Sequence, residues 1–363
     1  MGKRILILSN HFITLYNFRK ELIVKLIEDG HDVFISIPES NDNTFFSDLG
    51  CKIIITPVDR RGVNPIRDIR LVLNYIKIMK RLKPDIIFSY TIKPNIYGCI
   101  ASNLTNNKQV SNITGTGATF LKANTVSLIA KMLYKVSLKR SYKVFFQNSG
   151  DKDFFVENKM INNNYAMLPG SGVNLEQYPL CDLPSEDEVN FIFIGRIMEL
   201  KGIDQYLECA KVIKERYPKT NFFIAGFIEE EKYKDIIDTY SKRGIIKYLG
   251  FQKDIKSWIK RCHCTILPSH GGEGVPNVLL ESAALGRICI ASDINGSKDV
   301  VDDGVTGYLF ETGNSIDLIA QVEKLLILDF ESKKHMGLAG RNKVEREFDR
   351  NIVINAYMDL LKK

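Results

Sequence analysis

The chain has 363 residues, of which 45% are hydrophobic and 26% are charged, a balance that excludes a disordered or fibrous protein. This length exceeds one ordinary core and predicts two domains of about 150–200 residues each. The net charge of +7 is uneven, because residues 1–180 carry 24 Lys and Arg against 14 Asp and Glu, whereas residues 181–363 carry 26 against 29. We therefore expect the first half to face an anionic partner.

Short β-branched runs alternate with longer amphipathic segments in the first half of the chain. The strands are predicted at residues 4–9, 32–37, 51–56, 85–90, 109–114 and 143–148. Helical periodicity separates most of them, as at residues 17–29, 66–82 and 124–140. Alternation of this kind predicts a parallel sheet covered by helices.

The same pattern restarts after a polar segment, residues 180–190, which we interpret as a linker. The later strands are predicted at residues 189–195, 221–226, 245–250, 264–269 and 288–292, and two helices at 331–347 and 350–362. The predicted fold class is therefore α/β, with two doubly wound Rossmann-like domains, residues 1–180 and 181–363, facing each other across a cleft. Ligands of such sheets bind beyond the carboxyl ends of the strands. The last helix, 350–362, is a candidate to cross back to the first domain.

Neither the cysteines nor a pair of acids indicates a metal site. The seven cysteines are scattered and odd in number, as expected for reduced, buried thiols. The run Cys262–His263–Cys264 has no second ligand pair at zinc-site spacing. Asp151 and Asp153 follow a predicted strand and are interpreted as N-cap and first-turn acids of a helix.

The most informative stretch, residues 271–286, reads GGEGVPNVLLESAALG. Pro276 suits the first position of a helix that ends before Gly286. Glu273 then lies in the preceding glycine-rich loop, and Glu281 lies about 7–8 Å along the helix axis. The two acids can therefore meet the two sides of a ligand bound at the start of this helix.

That ligand is expected to contain a diphosphate. The backbone amides of residues 275–278 form an anion site at the helix start, and the glycines allow close approach. A second segment, residues 191–202, is a strand that ends at Gly195 and continues to Arg196 and Lys201. These two cations can neutralise a diphosphate from two directions, so a sugar nucleotide fits the pattern.

Three segments, GRIMELKG, PSHGGEGVPNVLLESAALG and VVDDGVTGYLF, resemble the retaining glycosyltransferases of family 4, which have the GT-B fold and act in bacterial capsule, O-antigen and lipid-linked glycan assembly. The first half is similar more weakly, through SNHFITLYNFRKELIVKLIEDGHDV, YTIKPNIYG and NITGTGATF.

The resemblance implies roles for individual residues. Glu273 would contact hydroxyls of the donor hexose, Glu281 would hold the ribose, and Arg196 and Lys201 would bind the diphosphate. Backbone near Phe251 would recognise the base, most often uracil. The remaining expected donor-site residues are Gly195, Gly274, Val275, Pro276, Asn277 and Val278. The family retains anomeric configuration apparently without a protein nucleophile, and the resemblance implies no metal and no cofactor besides the UDP-sugar co-substrate.

One departure concerns the amino-terminal domain, where many relatives place a histidine near the hexose. Here the equivalent loop is Thr114, Gly115, Thr116 and Gly117. His11, after the first strand, is an alternative, although a histidine in such a loop is often only solvated. His11, Asn17 and the loop 114–117 are the candidates for the acceptor side of the site.

A basic amphipathic segment, residues 122–140, is a candidate for membrane contact through Lys131, Lys135 and Lys139. The apolar residues on its adjoining faces are Leu128, Ile129, Met132, Leu133 and Val136. A core-packed helix with a solvated lysine face is the alternative. Since no apolar run approaches the roughly 20 residues of a membrane span, we expect a cytoplasmic protein peripheral to the inner membrane face. No motif predicts a nucleic-acid partner.

The predicted function is retaining transfer of a hexosyl or N-acetylhexosaminyl group from a UDP-sugar to a lipid-linked saccharide acceptor. Three alternatives remain. A sugar-nucleotide epimerase would need no acceptor, and an inactive partner protein would bind the donor without turnover. A glycoside hydrolase would need its carboxylates aimed at one glycosidic oxygen.

Overall fold

The computed structural model describes residues 2–59, 62, 64–117, 120 and 125–362. The chain forms two compact units. The amino unit comprises Met1–Ser171, Gly272–Gly274 and Asn351–Lys363, and the carboxyl unit comprises Gly172–Gly271 and Val275–Arg350. The division after Ser171 precedes the polar segment that the sequence offers as a linker.

The amino unit is built on a parallel sheet whose seven strands, over the described residues, have the order β3-β2-β1-β4-β5-β6-β7. The strands are β1 (Arg4–Leu8), β2 (Asp32–Ile37), β3 (Lys52–Ile55), β4 (Ile86–Tyr90), β5 (Gln109–Ile113), β6 (Lys143–Phe146) and β7 (Tyr165–Met167). Both faces of the sheet are covered, as a parallel sheet requires. Along β1, Ile5 and Ile7 pack into one apolar cluster, and Leu6 and Leu8 pack into another.

Helices connect these strands. They are α1 (Phe12–Glu28), α2 (Thr44–Asp48), α3 (Pro65–Leu82), α4 (Ile92–Thr105), α5 (Thr125–Leu138) and α6 (Ser149–Glu157). The start of α3 is fixed by Asn64, whose side-chain oxygen accepts hydrogen bonds from Ile66 N and Arg67 N, and by Pro65 in the first turn.

A further helix, α14 (Arg350–Leu361), completes the amino unit although it is far from the rest of that unit in sequence. Tyr357 is fully buried there, packs edge-on against Phe88 and donates a hydrogen bond to Asn112 Oδ1. The buried Arg19 guanidinium lies 4.8 Å from the centre of the Tyr90 ring. Aromatic packing and a satisfied buried hydroxyl therefore fix α14 on this sheet.

The carboxyl unit has a parallel sheet of six strands in the order β10-β9-β8-β11-β12-β13 over the described residues. The strands are β8 (Val189–Ile194), β9 (Thr220–Ala225), β10 (Lys247–Gly250), β11 (Cys264–Leu267), β12 (Ile288–Ser292) and β13 (Gly307–Phe310). The helices are α7 (Ile203–Arg216), α8 (Tyr233–Lys242), α9 (Ile255–Lys260), α10 (Asn277–Ala284), α11 (Asn295–Val300), α12 (Ser315–Ile327) and α13 (Phe330–Glu347). The largest cluster of its core includes Phe191, Phe193, Tyr206 and Phe222.

The predicted fold class is confirmed, since each predicted strand is present and both sheets are parallel and covered by helices. The strands β7 and β13 were not predicted. No described helix is long and apolar enough to cross a membrane. Cys262 and Cys264 are buried, and His263 Nδ1 accepts a hydrogen bond from Asn190 N.

Candidate active site

The sheet of the carboxyl unit reverses its strand order between β8 and β11. The first strand of the unit, β8, pairs with β9 on one side and with β11 on the other. Ligands of doubly wound sheets bind beyond the carboxyl ends of the strands at such a reversal. The segment with Arg196 and Lys201 follows β8, and the loop that leads to α10 follows β11, so both predicted motifs lie at this position.

These two segments pack against each other. Gly202 has a φ of +69°, and a Cβ at this position would lie 1.8 Å from the Pro268 carbonyl oxygen, so the close approach requires glycine. His270 N donates a 2.9 Å hydrogen bond to Leu200 O. The short 3-10 turn Glu199–Lys201 is thereby held beside the loop that follows β11.

The two predicted phosphate-binding cations lie in the segment that follows β8. Gly195 directly follows β8 and donates its N–H to Ala225 O at 3.0 Å. Arg196 follows it with its side chain 43% exposed and forms an ion pair with Glu229 at 3.6 Å. Lys201 ends the 3-10 turn. A bound diphosphate would therefore compete with Glu229 for the Arg196 guanidinium.

The start of α10 differs by one residue from the prediction. Pro276 has a φ of −69° and a ψ of 113°, so it is the N-cap residue and not the first helical residue. Val275 and Pro276 are buried, and Asn277 and Val278 are half-buried in the first turn. Within the described part of the chain, Asn277 Oδ1 is buried without a hydrogen-bond partner. A polar atom of this kind at a helix start is suited to a ligand.

Glu281 lies within α10 and is surrounded by two residues that the sequence did not identify. Burial raises the pKa of its carboxyl to about 7, while the charge of Arg350 and a hydrogen bond with Tyr178 act in the opposite direction. Arg350 is itself held by a 2.9 Å hydrogen bond from Nη2 to Gly172 O. The carboxyl therefore changes its charge near neutral pH.

Phe251 follows β10 at the same edge of this sheet, and its side chain is 67% exposed. Gly250 before it has a φ of +65°, which turns the chain away from the strand. The exposed ring and nearby backbone are accessible to a flat ligand group such as a base.

Glu273 lies in the three-residue segment Gly272–Gly274, which belongs to the amino unit. Gly117 N donates a 2.8 Å hydrogen bond to Gly272 O, and Asn148 Nδ2 donates to Glu273 O at 3.3 Å. The amide of Gly117 is therefore engaged by this segment. The loop 114–117 positions the backbone that carries Glu273.

Glycines make this contact possible. A Cβ on Gly115 would lie 2.6 Å from Gly272 O, and a Cβ on Gly274 would lie 2.9 Å from Thr114 O. Both distances are shorter than any normal contact of a side chain, so larger residues would displace the segment. The loop 114–117 therefore contains glycine because its backbone lies directly against the backbone of residues 272–274.

Asp151 forms hydrogen bonds with Asn148 and with Thr116 of the loop 114–117. Asn148, and not Asp151 as the sequence suggested, is the N-cap of α6, and it accepts a 2.8 Å hydrogen bond from Asp151 N. Asn148 Nδ2 also donates to Asp151 Oδ2 at 2.9 Å. Burial raises the pKa of Asp151 to about 6, and hydrogen bonds from Asn148 and Thr116 lower it in part. Asp151 thus connects the N-cap to the loop 114–117.

The strand reversal of the amino unit, between β1 and β4, holds the other candidates. His11 is the N-cap of α1, and its Nδ1 accepts a 3.1 Å hydrogen bond from Ile13 N. Asn17 lies on the exposed side of α1. Thr91, after β4, has a φ of +73° and, among the described residues, a buried hydroxyl without a partner. A β-branched residue in this conformation is strained, and such strain is concentrated at functional sites.

Family models match both halves of the chain. Residues 4–148 match the model described as glycosyl transferase 4-like, and residues 182–343 match the model described as glycosyl transferases group 1. The chain is therefore a glycosyltransferase with both of these domains. Its fold is the GT-B fold.

Similar proteins agree with this assignment. The N,N'-diacetylbacillosaminyl-diphospho-undecaprenol alpha-1,3-N-acetylgalactosaminyltransferase of Campylobacter jejuni is 26% identical, over 98% of each chain. The UDP-Gal:alpha-D-GlcNAc-diphosphoundecaprenol alpha-1,3-galactosyltransferase of Escherichia coli is 26% identical over 79% of this chain and 77% of its own. The Anabaena protein HepE, solved with UDP and glucose, has a TM-score of 0.81 at 15% identity, over 99% of this chain and 100% of its own.

Proposed function

We propose that the protein transfers a hexosyl or N-acetylhexosaminyl group, with retention, from a UDP-sugar to a saccharide linked to undecaprenyl diphosphate during surface polysaccharide assembly. The observation that carries this proposal is the packing of the Arg196–Gly202 segment against the loop before α10 at the strand reversal. The activities named for the Campylobacter and Escherichia relatives support the choice of acceptor.

The carboxyl unit binds the donor in this proposal. Glu281 accepts hydrogen bonds from the ribose hydroxyls, backbone near Phe251 contacts the uracil, and the α10 amides together with Arg196 and Lys201 bind the diphosphate. As the sugar–phosphate bond breaks, negative charge grows on the departing UDP, and these groups stabilise it without a metal.

The amino unit binds the acceptor, and its candidate residues are His11, Asn17 and the loop 114–117. Glu273 contacts hydroxyls of the transferred hexose. A donor phosphate oxygen takes the proton of the acceptor hydroxyl while the new bond forms on the face that the diphosphate leaves, as the family resemblance implies. The enzyme would work at the cytoplasmic face of an anionic membrane, where Lys135 and Lys139 are suited to contact the headgroups.

The direct test is a panel of UDP-sugars, first for thermal stabilisation and then, with EDTA present, for transfer to lipid extracted from bacterial membranes. We expect one donor to stabilise the protein and to yield a lipid-linked product of retained configuration. Conversion of the donor without any acceptor would favour the epimerase alternative. Binding without turnover on any lipid acceptor would favour the inactive partner.

Donor binding is expected to depend on pH through Glu281. Ribose hydroxyls donate to the ionised carboxylate, and a pKa of about 7 means that this form is lost as the pH falls through neutrality. We therefore expect the dissociation constant of the UDP-sugar to rise about 5- to 10-fold between pH 8 and pH 6, as measured by calorimetry.

Two variants separate this effect from other titrations. Glu281→Gln should bind more weakly but without the pH dependence. Tyr178→Phe removes a hydrogen bond that lowers the pKa of Glu281, so the midpoint of its pH profile should move upward. An unchanged pH profile in Glu281→Gln would exclude this carboxyl as the titrating group.

The loop 114–117 is expected to be needed for turnover because it positions Glu273. In Gly115→Ala the new Cβ would meet Gly272 O at 2.6 Å and displace the segment that carries Glu273. Small displacements of reacting groups are costly, and we expect kcat to fall about 10- to 100-fold. UDP affinity should change little, because the carboxyl unit binds the nucleotide.

Gly50→Ala is the matched control. Gly50 has a φ of +96°, close to the +120° of Gly115, but no described atom lies within 4 Å of an added Cβ. Both variants share the backbone strain of a positive φ, and only Gly115→Ala adds the contact with Gly272 O. Equal kcat values in the two variants would show that the contact with Gly272 does not matter for catalysis.

A further inference from the structure

Helix α5 carries large apolar side chains on its outward side as well as in the core of the unit. Its buried residues are Ser127, Ala130, Tyr134, Ser137 and Leu138. The outward apolar residues are Val126, Leu128, Ile129, Met132 and Val136, which are 43%, 69%, 49%, 62% and 65% exposed. Most apolar residues of an ordinary surface helix face the core, so this number of exposed apolar residues on one helix is unusual. The helix therefore has a core-packed side, as the alternative expects, and exposed apolar residues besides.

A second helix of the amino unit shows the same feature. In α3, Ile66, Ile69 and Leu73 are 63%, 60% and 58% exposed. Their spacing of three and four residues places them on one side of the helix. Opposite them, Leu71, Tyr75 and Met79 are buried.

The two apolar rows share one face of the unit. Helices α3, α4 and α5 follow the strands β3, β4 and β5, and right-handed crossovers from these strands to the next place all three helices on the same side of the sheet. Helix α4 packs against both of the others. It lies between them, and of its large apolar residues Leu104 is exposed. We call the exposed residues of α3 and α5 the α3/α5 face.

The α3/α5 face is also basic. Helix α5 contains no Asp or Glu, and its exposed cation is Lys135. The one acid within α3, Asp68, is paired with Lys93 at 2.6 Å. The exposed cations of α3 and of the end of α5 include Arg70, Lys77, Lys80, Arg81, Lys135 and Arg140.

The sequence analysis expects Lys131 to contact the membrane, but this residue does not belong to the α3/α5 face. It is half-buried, donates to Asn158 Oδ1 at 3.2 Å and lies 4.9 Å from the centre of the Phe154 ring. Its ammonium is therefore directed toward α6, where it fixes α5 to the unit.

We propose that the α3/α5 face docks the amino unit on an anionic bilayer, with the outward apolar residues of both helices inserted among the headgroups. Apolar side chains flanked by cations are the chemistry of an interfacial helix. Lys135, Arg140 and the α3 cations would contact anionic headgroups. A second copy of the same basic face would be repelled, so charge favours the bilayer over self-association. The inference extends the proposed function, because a lipid-linked acceptor lies at such a surface.

The test is sedimentation of the full chain with vesicles of phosphatidylcholine, with and without phosphatidylglycerol. We expect binding to the anionic vesicles and at least a tenfold lower partition coefficient on neutral ones. The combined variant Leu128→Ser, Met132→Ser and Val136→Ser, and separately Ile66→Ser with Ile69→Ser, should each reduce binding about tenfold or more.

Ile316→Ser with Ile327→Ser is the matched control. These residues of α12 are 81% and 76% exposed, in the carboxyl unit, and their replacement should leave vesicle binding within twofold. Three results would each overturn the proposal. They are an equal loss of vesicle binding in the control and test variants, undiminished vesicle binding of the α5 variant, and a wild-type dimer that the α5 variant abolishes. Thermal stabilisation by the UDP-sugar is measured in parallel without vesicles. If the UDP-sugar still stabilised the protein while vesicle binding failed, the proposed function would be retained and only the docking surface would be rejected.

Discussion

Replacing Glu273 with alanine is expected to lower kcat for sugar transfer about 10³-fold while leaving the fold intact. Hydrogen bonds to the hexose that strengthen in the transition state contribute several kcal/mol in glycosyl chemistry. The fold should survive because the segment is held through its backbone, by Gly117 N on Gly272 O and by Asn148 on Glu273 O. Steady-state kinetics with the best UDP-sugar and a thermal melt measure both parts.

Glu157→Ala is a suitable control, since Glu157 is an exposed acid at the end of α6 in the same unit. Its kcat should stay close to that of the wild type. A Glu273→Ala enzyme that retained more than about a tenth of the wild-type kcat would contradict the role assigned to this carboxylate.

Replacing Lys201 with alanine is expected to reduce kcat by about 10³-fold as well, for a different reason. A cation that meets charge developing on a phosphate leaving group contributes about 10²–10⁵ in rate. The backbone of the turn that ends at Lys201 is held by the His270 N to Leu200 O hydrogen bond. The ratio of kcat to KM and the affinity for UDP should both fall.

Lys232 provides the comparison, because it is an exposed lysine of the same unit with carboxylate partners, Glu199 at 2.6 Å and Glu230 at 3.6 Å. Lys232→Ala should leave kcat within a few fold. Lys201→Arg should recover part of the lost rate, since charge is retained with altered geometry. If Lys201→Ala and Lys232→Ala behaved alike, the leaving-group role of Lys201 would be refuted.

Most of the fold was predictable because each strand and helix carries its own local pattern. The buried strands β4 and β12 are mostly apolar, and α3 begins at an Asn-Pro pair that is a strong start signal. Pro276 was misplaced by one position because proline is compatible with both the N-cap and the first turn, and the sequence does not distinguish them.

The site was predictable only in its motif residues. The need for glycine at position 202 becomes evident only in the structure, where the Pro268 carbonyl oxygen lies beside it. Tyr178 and Arg350 act on Glu281 from distant parts of the sequence, and no local pattern connects them. The strain at Thr91 is a backbone property that its residue type would not suggest.

The position of α14 has a consequence for synthesis of the protein. The ribosome makes residues 1–171 first, but the helix that brings Tyr357 onto Phe88 and Asn112 emerges only after the whole carboxyl unit. At about 5–20 residues per second, this delay is roughly 10–40 s. During that interval the apolar residues of the first sheet that α14 covers, among them Phe88, lack their native partner and are exposed to non-native contacts.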